Sequence, residues 1–325
     1  MARRKYKKDM NKIEPSEMTL TFATPVTSSG TIASYYIDLS QVASIVNRRF
    51  YRQGINWAVS GFKFLVGSGL GSVMIQKLPN TWVMSNSWEK GFRHWNRQQK
   101  ESLEESSESV RAKFSDFKIY ADSEHLAAGV AANLLPLAGN SAIPATPGEW
   151  QMSQIVVPNF LGAAGTNIEP QITAVGDADL SVDPTQFSLI EAYANSRSVP
   201  QSPDPAVPAG VTSGPENIYR QMFDVGANDD VIMDNAVYKN DDLPYPQDTY
   251  PGGGTQLPGL AIHDQASYTA STIGGITYAK GGNFPCGLIK VIHSVPEGIS
   301  HNLVMMIDLV PGSHRGYMCE PMTEM

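Results

Sequence analysis

Glycine and proline supply 50 of the 325 residues, and they are spread along the whole chain. Punctuation this frequent cuts the apolar segments into short pieces. It favours many short strands joined by turns and long loops over long helices. The charged fraction, 17%, lies below the ~25% of ordinary globular chains, which argues against coiled coils and solvated helical bundles. The 42% of hydrophobic residues suffices for a core. At roughly 100–200 residues per domain, the length fits one large domain or two smaller ones.

The segments between these punctuation marks read mostly as strands. MTLTFATPV at 18–26 is rich in Thr, Phe and Val and ends at a proline. INWAVSGFKFLV at 55–66 and SVMIQKL at 72–78 follow, with GSGLGS at 67–72 between them reading as a hairpin loop. That glycine spacing fits neither a dinucleotide fingerprint nor a phosphate-binding loop. FSDFKIYA at 114–121 alternates apolar and polar residues, and WQMSQIVVP at 150–158 is a further strand candidate. Later strands are expected at 231–239, 260–270, 273–280, 285–294 and 301–310. The near-continuous apolar run HNLVMMIDLV implies burial on both faces. Short helices are expected after Ser40, ending at Gly54, and after Asp183. Residues 86–113 read as an exposed helix or long loop, and 196–216 and 240–259 as long surface loops.

Even strand spacing with long connections predicts an all-β chain. The expected architecture is an eight-stranded antiparallel jelly-roll sandwich with long loop insertions and two or three short helices. The domain division is a basic N-terminal arm at 1–17 and a single sandwich domain at 18–325.

Charge is polarised along the chain. Residues 1–118 carry 18 of the 24 Lys and Arg against 10 of the 32 Asp and Glu, a balance of +8; the rest of the chain balances at −16. The extreme is the start, where Arg3, Arg4, Lys5, Lys7, Lys8 and Lys12 are opposed only by Asp9. A segment so polar is expected to be an unfolded arm that binds phosphates as a loose polycation, with Tyr6 able to stack on an unpaired base. A solubilising tail or a nuclear localisation signal would use the same residues. Arg48, Arg49 and Arg52 either extend this positive surface or form an ordinary solvated helix face. Trp57, Trp82, Trp88 and Trp95 all fall in the basic third. Trp57 and Trp82 read as core. Trp88 and Trp95 are the candidates for base stacking or for an interface.

Residues for catalysis do not converge. The six histidines include no His-Glu-x-x-His pair, and no nucleophile elbow is present. His263 and Asp264 are adjacent, so in a strand they point to opposite faces. Two cysteines exclude a disulfide framework and a four-cysteine zinc site, and Cys286 reads as a buried structural thiol. The acidic residues from Asp224 to Asp242 lack calcium-loop spacing. No catalytic residue, metal or cofactor is expected. No apolar run approaches the ~18–20 residues of a membrane span, and no signal peptide is seen. A reducing, intracellular site of synthesis is expected.

The basic arm followed by SYYIDLSQVASIVNRRFYRQGINWAVSGFKF at 34–64 resembles capsid proteins of small circular, replication-initiator-encoding single-stranded DNA viruses, the circovirus-like group. The resemblance covers about the first 120 residues. It implies a single jelly roll and self-assembly into a closed icosahedral shell, in its simplest T=1 form from about sixty copies. It also implies an arm facing packaged single-stranded nucleic acid, probably DNA. The expected locations are the virion and, during assembly, the host nucleus. A host receptor would meet the outer loops, and no membrane is implied. This arm is short, contains lysine and is interrupted by Asp9. The alternative is a carbohydrate- or cell-surface-binding β-sandwich module, which leaves the arm without a role; a β-sandwich hydrolase is a third reading.

Overall fold

The computed structural model describes residues 15–66, 69–104, 116–138, 143–158, 166–180, 183–198, 259–269 and 271–325. The arm at 1–12, the strand expected at 231–239, the acidic cluster and nearly all of the two long loops lie outside these residues.

Among the described residues, eight strands and a short ninth build two sheets; the eight are β1 Thr19–Ala23, β2 Ile32–Asp38, β3 Ile55–Leu65, β4 Gly71–Lys77, β5 Ala261–Tyr268, β6 Ile276–Phe284, β7 Leu288–Ser294 and β8 Val304–Leu309. The first sheet has the order β1-β8-β3-β6, with Cys319–Pro321 pairing the start of β3; the second has the order β2-β7-β4-β5. Every pairing within them is antiparallel. The sheets face each other across one core, in which Leu20, Phe22, Phe62, Phe64 and Ile307 meet Ile37, Val73, Ile75, Ile289 and Val291. The chain is therefore a β-sandwich. Period-2 alternation does most of this work, because inward residues on each strand are apolar.

Several expectations need correction. β3 and β4 belong to different sheets, so they do not pair as the expected hairpin, and Gly71 and Ser72 already belong to β4. β8 buries Met305, Ile307 and Leu309 on one face only. Its other face carries Asp308, ion-paired to Lys63 at 2.6 Å, so the run of apolar letters misleads about two-sided burial. The segment around Phe117 and Ile119 is buried but makes only an isolated bridge at Tyr120, because it lies between layers and not in a sheet.

The largest correction concerns the connection between β4 and β5. Of residues 86–113, expected as an exposed helix or long loop, 86–104 lie in a 23-residue helix, α2 at Trp82–Glu104, one side of which is buried. With α3 at Ser123–Ala128 and α4 at Leu189–Ser198 it covers the outer face of the second sheet. There Tyr36 and Leu288, which point away from the sandwich core, join a second core with Leu78, Met84, Ile119, Ile172, Leu189 and Ile190. Trp88 and Trp95 sit in this core, 6% and 8% exposed. Trp88 stacks on Phe92 at 5.2 Å between centroids, and Trp95 packs on Phe117 at 5.5 Å. Their faces are occupied by neighbouring rings, which removes them as platforms for an unpaired base. Gly54 lets Trp88 in, since a Cβ there would overlap the indole. Among the described residues no helix is long and apolar enough to cross a membrane.

Candidate nucleic-acid interface

The short helix α1, Leu39–Asn47, organises one end of the sandwich. Its N-cap is Asp38 and not Ser40. Asp38 Oδ1 accepts from the backbone N–H of Ser40 at 2.9 Å and of Gln41 at 3.3 Å. Asp38 Oδ2 accepts from Gln53 Nε2 at 2.9 Å and from Trp150 Nε1 at 3.1 Å. Burial pushes this carboxyl up to about 6, and the donors around it pull the other way. One carboxylate thus ties α1, the turn after it and the Trp150 segment together. The helix ends at Arg48, whose φ of 56° and ψ of 33° are left-handed, well before Gly54. A left-handed residue at this position is the usual helix stop, and glycine normally supplies it.

The basic leader enters the fold here. Glu17 donates its N–H to Asn47 Oδ1 at 3.0 Å, Ser16 Oγ donates to the Arg315 carbonyl at 2.9 Å, and Tyr317 Oη donates to the Glu17 carbonyl at 2.7 Å. Arg49 Nη1 reaches Ser16 Oγ at 3.5 Å, and Arg315 donates to the Phe50 carbonyl. The root of the leader is thereby fixed beside Arg48, Arg49 and Arg315. Arg48, Arg52 and Arg315 are exposed and Arg49 is half-buried. Of the sites read from sequence, the structure brings Arg48, Arg49 and Arg52 to the turn after α1. It also adds Arg315 and Lys118, which sequence reading did not single out. The acidic residues of the same region include the buried Asp38, Glu17, Glu149 and the buried Asp116, which is ion-paired to Lys118 at 3.1 Å. Arg3, Arg4, Lys5, Tyr6, Lys7, Lys8 and Lys12 lie outside the described residues.

Beside α1 opens a cleft of about 600 Å³. One wall is the helix face of Gln41, Ser44, Ile45 and Arg48, which are spaced to share one side of a helix. The other includes Phe50 and Trp150, whose rings are 6.3 Å apart and inclined by 52°. Lys118 Nζ sits 4.5 Å from the Trp150 centroid and 5.7 Å from that of Phe50. Glu149 and Thr146 complete the rim.

Two other polar clusters are structural in form. Lys290 Nζ lies 2.9 Å from Asp122 Oδ2 and 2.6 Å from Glu124 Oε2, over the Tyr36 ring, and Tyr36 Oη donates to Asp122 Oδ1 at 2.8 Å. Burial pushes the Lys290 ammonium down, but Glu124 and Asp122 hold it above its ordinary range. Tyr268 Oη lies between His293 Nε2 and His301 Nε2 at 2.5 Å and 2.6 Å, and Thr27 Oγ1 meets His293 Nδ1 at 2.9 Å. Burial pushes His293 down to about 4 and also lowers His301. Cys286 is fully buried and its thiol is pushed well up by burial. Among the described residues no group of three or more His, Cys, Asp and Glu side chains is arranged to hold a metal ion. His263 Nε2 contacts the Lys280 carbonyl at 2.8 Å, and Asp264 accepts from the Lys280 N–H at 2.9 Å, so both serve the β5–β6 junction.

Comparison with protein-family models, with curated protein sequences and with solved structures finds no match to this chain.

Proposed function

We propose that this chain is a viral coat protein of the circovirus-like kind. About sixty copies close into an icosahedral shell, and each holds packaged single-stranded DNA through its basic leader. One observation carries the reading: the leader is rooted beside Arg48, Arg49, Arg52 and Arg315 at one end of an antiparallel sandwich. That gives each subunit a cationic end, which fits a genome-facing inside. The strand orders β1-β8-β3-β6 and β2-β7-β4-β5 support the eight-stranded jelly roll. Ile32, Ile262 and Tyr278, exposed on the edge strands β2, β5 and β6, offer apolar area for neighbouring subunits to cover. The leader neutralises phosphates without reading bases.

Electron microscopy of the purified chain tests this. Particles of uniform diameter carrying nuclease-protected nucleic acid are expected. A chain that sediments as a monomer under all assembly conditions overturns the reading. Removing residues 1–12, with their net +5, is expected to lower the log–log salt slope of single-strand binding by about 3 to 4.

A further inference from the structure

We propose that the cleft beside α1 binds one nucleotide of the captured strand. Its base would lie against Phe50 and Trp150 and accept a hydrogen bond from Gln41 Nε2, with its phosphate on the Arg48 side. This rests on the nucleic-acid reading above and adds a site that the leader does not supply.

The argument starts from a donor without an acceptor. Gln41 is 2% exposed, and its Nε2 has no hydrogen-bond partner. The orientation of that amide is fixed by a chain of four groups. The Ala121 N–H donates to His125 Nδ1 at 3.1 Å, so the ring proton sits on Nε2. Burial pushes His125 down to about 4, which keeps the ring neutral. Nε2 therefore donates to Asn133 Oδ1 at 2.8 Å, which turns the Asn133 amide so that its Nδ2 donates to Gln41 Oε1 at 2.9 Å. The NH2 of Gln41, on a residue that lines the cleft, is left as an unmet donor. Buried donors are nearly always paired, so this one marks the place of a missing acceptor.

The surroundings define that acceptor. The walls carry two aromatic rings set at an angle, suited to a flat apolar group. Exposed Arg48 at the rim suits an anion, and the leader's root one turn away brings a polyanion to the same place. A flat ring with a carbonyl or ring-nitrogen acceptor, attached to a phosphate, is a nucleotide. The volume falls in the usual range of small-molecule sites, roughly 300–1,000 Å³, so a single unit fits. Glu149 on the rim keeps the phosphate toward Arg48.

The test compares two strands of equal length on the full chain by fluorescence anisotropy. One is a thymidine oligonucleotide and the other an abasic deoxyribose-phosphate strand. The expected preference for the strand with bases is about tenfold. Gln41→Glu keeps the oxygen that Asn133 needs and replaces the donor by an acceptor. Phe50→Leu keeps apolar bulk and removes the ring. Both are expected to bring the preference close to unity, while Arg48→Gly weakens both strands. If wild type binds both strands equally, the cleft proposal fails and the leader reading stands. If the preference survives in both variants with circular dichroism unchanged, the cleft proposal fails. If neither strand binds, the nucleic-acid reading itself fails.

Discussion

Lys290→Met exposes the energetics of the layer that supports the cleft. The Lys290 and Asp122 side chains are 9% and 12% exposed, and the ammonium is the cation on Asp122 Oδ2. Met fills a similar volume without the charge. Asp122 Oδ1 keeps two donors, Tyr36 Oη and the His125 N–H, each at 2.8 Å. Glu124, 56% exposed, can turn to water. Removing one partner of a buried pair costs about 3–5 kcal/mol, and the two surviving donors put this case near the lower end, about 3 kcal/mol. Adding Asp122→Asn removes the stranded charge while leaving an Oδ1 acceptor, so the double variant is expected to regain about 2 kcal/mol. Urea denaturation at pH 7, followed by tryptophan fluorescence with a check that the m-value is unchanged, measures both. A single variant within about 1 kcal/mol of wild type, or a double variant no better than the single, would refute the assignment of a buried, charge-compensated cluster.

Arg48→Gly is expected to raise stability by about 0.5–1 kcal/mol, since glycine takes the left-handed φ of 56° without a Cβ penalty, while single-strand binding falls; thermal denaturation beside anisotropy checks that the two move in opposite directions. Gly281→Ala is expected to cost about 3 kcal/mol or to abolish soluble expression, because the added Cβ would overlap the Val59 and Ser60 carbonyls where β6 pairs with β3. His125 and His293 have folded values lowered to about 4 from an ordinary 6.5, so the unfolded chain binds more protons between these values. Their contribution is complete above about pH 6.5 and is lost as the pH falls toward 4; denaturation midpoints across that window should drop, and His125→Gln should flatten the drop.

The sandwich was legible because its strands obey a local rule. Phe22, Phe62, Phe64 and Ile307 alternate with polar or half-buried neighbours, and the letters carry that pattern directly. The helical layer was much less so. α2 contains Gly91 and a run of charges after Trp95, and its burial depends on α4 and on Phe117, which are distant in sequence. Trp88 and Trp95 looked free for the same reason. In the candidate site, the arginines after α1 were readable as a cluster. Gln41 was not, since its significance lies in a hydrogen-bond chain through Asn133 and His125 that only the folded backbone assembles. Trp150 likewise gains its place from Asp38, 112 positions earlier.

The pairing of the strands also sets a timetable for synthesis. β1 and β2 wait for β8 and β7, β3 for β6 and β8, and β4 for β5 and β7, so no strand in the first 77 residues finds a sheet partner before residue 261 is made. At ~5–20 residues per second, a ribosome needs roughly 10–40 s to cross that gap. Throughout it, four apolar strands hang from the nascent chain unsatisfied. A half-made molecule therefore has no finished sheet in which to bury those strands until the residues from 261 onward have emerged.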